Sequence, residues 1–109
     1  MINKINIKKA INDCVDLSSG KYNLGKLILE NCRDKGLSVG EKYDIELFEI
    51  FVNNANIGLA SKDSSIVTFN IGDFNDLKIC LAAYNKKQEF NGGYIKFNNM
   101  NFKNYFKKA

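Results

Sequence analysis

Residues 38–53 read SVGEKYDIELFEIFVN, and the conformation of this stretch decides which fold the chain is expected to adopt. Its apolar residues fit two periods. Every second residue from Tyr43 to Leu47 is apolar, as in a strand, but Tyr43 and Leu47 are also four residues apart, which is about one turn of a helix. Ser38 and Glu41 favour the helix, since such a pair can form a reciprocal capping box at a helix start. We therefore expect a helix from about residue 39 to 53, and a strand there is the alternative.

Three further helices are predicted from apolar residues at helical spacing. The first covers about residues 5–17 and ends at Ser18-Ser19-Gly20. The second begins at the cap Asn23 and closes at Gly36, which can supply a left-handed residue. The last of the four helices in chain order covers residues 74–87, after the cap Asp73.

Strands are predicted only in the second half of the chain. Residues 57–61 and 66–71 favour β structure and are joined by the polar segment 62–65, a pattern typical of a hairpin. Residues 94–97 predict a short last strand after Asn91-Gly92-Gly93, and residues 98–109 are open to a flexible basic tail or a short amphipathic turn. No internal repeat is predicted.

These elements predict an α+β fold in a small single domain, residues 1–109. Its order is three helices, a β-hairpin, a fourth helix and a short C-terminal strand. A chain of 109 residues with 45% apolar content is enough for one core and leaves nothing for a second.

The order of three helices and a hairpin resembles that of the winged helix-turn-helix superfamily. The likeness covers about residues 23–71 and depends on Cys32 at a usually small position, Gly36 at the turn, and Leu37-Ser38 opening the next helix. It implies a DNA-binding protein whose hairpin is the wing. The sequence departs from that pattern in its third helix, which is acidic where a helix that enters the major groove would be expected to carry basic residues.

Charge is segregated along the chain, whose net charge is +4. Six lysines follow residue 85 against Glu89 alone, and six aromatic residues lie among them. Alternation of cations and flat rings is typical of surfaces that grip nucleic acid. Most of the rings, such as Phe97, Phe102 and Phe106, are nevertheless expected to be buried in the core, which leaves Tyr94 and Tyr105 as the rings expected to make exposed contacts. The candidate DNA-contacting residues lie at the hairpin tip, at the end of the fourth helix and in the C-terminal segment: Lys62, Lys86, Lys87, Tyr94, Lys96, Lys103, Tyr105, Lys107 and Lys108.

An acidic face offers a different interpretation. Glu41, Asp44, Glu46 and Glu49 would repel phosphate, but they could face a basic protein partner. The sequence thus predicts a non-enzymatic DNA-binding accessory or regulatory protein, open to acting as a homodimer. The alternative is a small protein-binding inhibitor or adaptor, of the counter-defence or immunity type found in phages and mobile elements.

Several kinds of chemistry are not indicated. Histidine is absent, which removes the usual general base, and no phosphate-binding glycine motif or acidic metal cluster occurs, so we expect no enzyme, cofactor or metal. Cys14, Cys32 and Cys80 are widely spaced and are expected to be buried reduced thiols. No run of about 18 apolar residues suggests a membrane span, and the N-terminus lacks the pattern of a secretion signal, so a cytoplasmic location is predicted.

Overall fold

A computed structural model describes residues 2–84 and 93–107, and every regular element within them is a β-strand. The five strands are β1 Ile2–Ile7, β2 Val15–Glu30, β3 Lys35–Lys62, β4 Ile66–Tyr84 and β5 Tyr94–Lys107. They form one sheet in chain order, and each neighbouring pair is parallel.

The strands wind around the molecule as successive coils. Extended, the 28 residues of β3 would span ~90 Å. The longest dimension of the protein is only 34 Å, so β3 must turn several corners. From β1 to β4 each coil lies on the one before it at a nearly constant register shift, as in the pairs Ile5–Leu27 and Asp44–Ile66, and the shift is larger only between β4 and β5. The fold is therefore β-solenoid-like, and its repeating unit is one coil.

Left-handed residues recur at the same corners of successive coils. One corner holds Glu41-Lys42 and then Asp63-Ser64, and φ is between 50° and 63° at all four residues. A second corner holds Asn31, Asn54 and Asp76, with φ between 55° and 62°. Asparagine and aspartate tolerate this conformation better than most residues, which explains their recurrence.

The core is a set of apolar columns that run through the coils. Leu24, Leu47 and Phe69 form one column, because each is the register partner of the next, and all three are buried. Polar columns line the outside. Asn75 donates a side-chain hydrogen bond to Asn53 over 2.8 Å, one coil below. Such side-chain ladders fix the register of a parallel stack.

The four predicted helices are wrong. Residues 5–17 span the end of β1 and the start of β2, residues 23–36 fall mainly in β2, and residues 39–53 lie in β3. Residues 74–84 lie in β4, whereas 85–87 are outside the described residues. The reason is visible in β3, where buried positions alternate along a side and lie further apart across a bend, as from Leu47 to Ile50. The mixture imitates a helical period.

The winged helix-turn-helix resemblance is also overturned, since the described residues contain no helix. Strand conformation is confirmed for residues 57–61, 66–71 and 94–97, but the hairpin is wrong because β3 and β4 run parallel. The regular parallel register reveals a structural repeat that the sequence did not display. Residues 98–107, where a flexible basic tail was an option, belong to β5.

Two of the three cysteines differ from expectation. Cys14 and Cys32 form a disulfide that links two successive coils, with their Cα atoms 5.3 Å apart. They meet because the coil brings residues that are distant in sequence side by side. Cys80 is buried and takes no part in the disulfide, as expected.

Candidate nucleic-acid interface

The last coil of the described residues contains β5. Within residues 2–84 and 93–107, β5 is paired along one side only, with β4. The register places Tyr94 beside Ile66 and Phe97 beside Phe69. The register shift between β4 and β5 is larger than that between β3 and β4. The additional residues lie between Tyr84 and Tyr94 in the sequence.

Aromatic rings are stacked from the core to β5. The ring of Phe69 is buried and packs edge-on against Phe74, with centroids 6.0 Å apart. Phe97 stacks on Phe69 with centroids 5.5 Å apart and an interplanar angle of 13°. Among the described residues Phe97 is the last member of this column, and its ring is 47% exposed, while nearby Tyr94 is 59% exposed. Strand β5 thus presents a flat ring held from below.

Lysines accompany these rings along β5. Lys96 lies beside Thr68 in the register, Lys103 lies beside Asn75, and both side chains are exposed. Neither forms an ion pair with any residue that the structure describes. The backbones of Tyr105 and Lys107 continue the same strand. Lys86, Lys87 and Lys108 lie outside the described residues.

Lys62 approaches the interface with its backbone only. Its carbonyl accepts a hydrogen bond from the N–H of Ser65, and the carbonyl of Ser65 accepts one from Tyr94 over 2.9 Å. The side chain runs the other way, toward the earlier coil, where its Cε atom lies 3.5 Å from the point a Cβ on Gly40 would occupy. Lys62 therefore does not join the lysines of β5.

The predicted acidic residues occupy separate parts of β3. Asp44 and Glu46 point outward on one side, whereas Glu49 lies beyond the bend and pairs with Lys26 over 3.2 Å. Glu41 is a left-handed corner residue. These four side chains do not form one continuous face.

Glu46 in β3 does not neutralise Lys96 in β5. Glu46 and Lys96 share a column but are separated by Thr68, which pairs with both. Two strand spacings place them ~10 Å apart, about one Debye length at physiological salt. The attraction between them is therefore largely screened, and the charge of Lys96 stays available to a ligand.

Two features of this surface escape a reading of the sequence alone. Phe97 can hold a base because Phe69 supports its ring. The two residues would be paired only if the sequence were aligned with itself at the register shift between β4 and β5. Phe48 is 59% exposed because it lies at the bend where alternation changes phase. The exposure of Phe48 could have been predicted from the sequence only by assuming a strand that turns a corner at this residue.

The chain matches no family model, no curated protein and no solved structure. Within the described residues there is no helix that could cross a membrane.

Proposed function

We propose that this protein is a non-enzymatic, DNA-binding accessory or regulatory factor that holds single-stranded DNA along its last coil. The observation that carries the proposal is the half-exposed ring of Phe97, which stacks on Phe69 and is followed along β5 by lysines on the outer face, the first of them the adjacent Lys96. Bases of any sequence can stack on such a ring, and lysines can follow the phosphates.

We propose single-stranded DNA and not duplex DNA because of the exposed ring of Phe97. In a duplex the base faces are stacked on each other and are inaccessible to Phe97, whereas an unpaired base can cover the ring. Each base stacked on an aromatic side chain contributes ~1–3 kcal/mol. Phe69 fixes the ring from below, so little side-chain entropy is lost on binding.

The lysines of β5 set the expected salt dependence. Contacts from Lys96 and Lys103 to two phosphates would give a slope of about −1.4 for log affinity against log salt on a single strand. Loss of one lysine is expected to reduce the slope by ~0.7. Both lie on β5 but on opposite sides of its bend, because Lys96 continues the column of Glu46 and Lys103 continues that of Asn53, so a bound strand of DNA must follow the bend to meet both.

The test is fluorescence anisotropy with a labelled thymine oligonucleotide at several salt concentrations. Lys96→Gln and Lys103→Gln should each weaken binding and flatten the salt slope. Phe97→Leu keeps an apolar side chain on Phe69 but removes the flat ring, so affinity should fall about fivefold or more.

The matched controls are Tyr22→Leu, which removes a half-exposed, stacked ring from β2, and Lys21→Gln, which removes a lysine of the same strand. Both should bind as the native protein does. Absence of binding at low salt, or equal losses in the controls and in the β5 variants, would refute the proposal. Tighter binding to duplex than to single strand would refute the role of Phe97.

A protein partner is the second candidate, and Phe48 favours it. This exposed ring lies close to Glu46 on a shallow groove of about 390 Å³, which Thr68 and Asn98 also line. A ring beside carboxylates suits a partner with an apolar anchor ringed by basic residues, as an inhibitor or adaptor would need. Asp44→Lys with Glu46→Lys would abolish such a complex, whereas it would not weaken DNA binding.

The compartment is a separate proposal. A DNA-binding role fits the cytoplasmic location that the sequence predicts, but cytosolic proteins rarely keep disulfides such as Cys14–Cys32. Thiol alkylation in intact cells followed by mass spectrometry distinguishes a cytoplasmic location from an oxidising compartment. Alkylation of both cysteines supports the cytoplasm, and protection of both supports an oxidising compartment.

A further inference from the structure

A second basic feature lies on a different part of the solenoid, at the corner formed by Asn31 and Asn54. A groove of about 500 Å³ opens there, between Arg33 on one coil and Lys78 two coils away. Its lining residues are Asn31, Cys32, Arg33, Asn54, Ala55, Asn56 and Lys78. Two cations and three carboxamides line it, and no carboxylate of the described residues does.

The register brings the two cations toward one point. Ala55 pairs with Leu77 and Ile57 with Ile79, so Asn56 occupies the position next to Lys78. Arg33 lines the groove from the coil on the other side. With strands ~4.8 Å apart, both long side chains can reach an anion held over Asn56.

The neighbouring amides are already ordered. Asn54 donates its side-chain N–H to Asn31 over 2.8 Å, and Asn31 donates to the carbonyl of Lys8 over 3.0 Å. These bonds fix the amide groups of the corner before any ligand arrives. A prearranged polar wall lowers the entropy that binding costs.

Two carboxylates lie near the groove without lining it. Asp34 accepts a hydrogen bond from Lys35 over 3.0 Å and a longer one from Asn56, so its charge is partly offset. Asp76 lies at the same corner one coil beyond Asn54 and opposes an anion.

The geometry points to an oxyanion site in this groove, which takes a phosphate group between Arg33 and Lys78. The guanidinium supplies a fork of donors that matches two phosphate oxygens, and the ammonium of Lys78 supplies a point charge from the opposite side. The amides of Asn54 and Asn56 are placed to contact whatever polar group carries the phosphate. This site is separate from the DNA-binding site on β5 proposed above.

The experiment uses inorganic phosphate and pyrophosphate as probes, with backbone amide shifts recorded by NMR at low salt. Saturable shifts should be confined to the lining residues. Arg33→Gln should weaken binding about tenfold, and Arg33→Lys should weaken it less but measurably, because the charge remains and the fork is lost. Asp76→Asn should tighten binding, since it removes an opposing charge.

The control for non-specific attraction is the double variant Lys96→Gln and Lys103→Gln, which should leave phosphate binding unchanged. All these side chains are exposed, so the variants are expected to fold, and circular dichroism checks this. Shifts that spread over every lysine without saturating would overturn the site, as would an affinity that Arg33→Gln leaves unaltered. Failure of DNA binding would leave these outcomes unaffected.

Discussion

Replacement of Gly36 by alanine tests how closely the coils approach each other. A Cβ atom at Gly36 would lie 2.5 Å from the carbonyl oxygen of Gly58 and 2.8 Å from the Cγ1 atom of Val52. Both distances are far inside van der Waals contact, and one of the atoms belongs to the backbone, which cannot rotate away. Overpacking of this kind costs ~1–3 kcal/mol.

Gly40 in the same strand provides the matched control. It is also buried, but a Cβ there would meet only Lys62 Cε at 3.5 Å, which is an ordinary contact. Alanine is therefore expected to stabilise this position by ~0.4–1 kcal/mol, through loss of freedom in the unfolded chain. The unfolding midpoints of the two variants should differ by roughly 6–17 °C.

Thermal unfolding followed by circular dichroism measures this difference, and urea titration checks it as a free energy of unfolding. Equal midpoints for Gly36→Ala and Gly40→Ala would refute the close stacking of coils at Gly36 and Gly58. A lower midpoint for Gly40→Ala than for Gly36→Ala would do so more strongly.

Three other predictions concern the stability of the fold. Reduction of the Cys14–Cys32 disulfide, which closes an 18-residue separation, should lower the free energy of unfolding by about 3 kcal/mol, measured by urea titration with and without reductant. Ser38→Ala should be neutral or stabilising by the same assay, because the buried hydroxyl of Ser38 has no hydrogen-bond partner among the described residues; a loss above ~1 kcal/mol would contradict this. The hydrogen bond from Lys35 is the main cause that holds the pKa of Asp34 below its ordinary value of 3.8. This carboxylate therefore contributes stability above pH 3.8 that is lost as the pH falls further, and Asp34→Asn should flatten the acid side of the stability profile.

The sequence predicts strands where they are short and bounded by polar turns. Residues 57–61 and 66–71 were identifiable because β-branched side chains cluster between polar segments. Their pairing was not, since the parallel partner of each residue lies a full coil away and no local signal encodes it. A two-residue turn between antiparallel strands is the only pairing that local sequence specifies well.

The long strands were hidden by their own corners. An added residue at each bend, such as Phe48, breaks the alternation and produces spacings that a helix also has. The repeat was hidden because its columns preserve apolarity and not identity, as in Leu24, Leu47 and Phe69. Only an alignment of the sequence with itself that compares apolar with polar positions, and not residue identities, could have detected the repeat.

The candidate interface was partly predictable. Composition located the lysines and rings of the C-terminal segment, because their density there is unusual for a small domain. Composition could not say that Lys62 turns toward Gly40, or that Phe97 has one face covered and the other open. These facts depend on which coil lies beneath each residue.

The longer register shift at the last coil has a consequence for insertions and deletions. Along β3, one residue more or less would turn every later side chain from inside to outside until the next bend. Between Tyr84 and Tyr94 the chain is already longer than a coil requires, yet β5 re-enters in phase, with Phe97 on Phe69. We therefore expect the chain to tolerate a change of length between Tyr84 and Tyr94 but not within β3, so an epitope tag inserted between these two tyrosines should leave the solenoid intact.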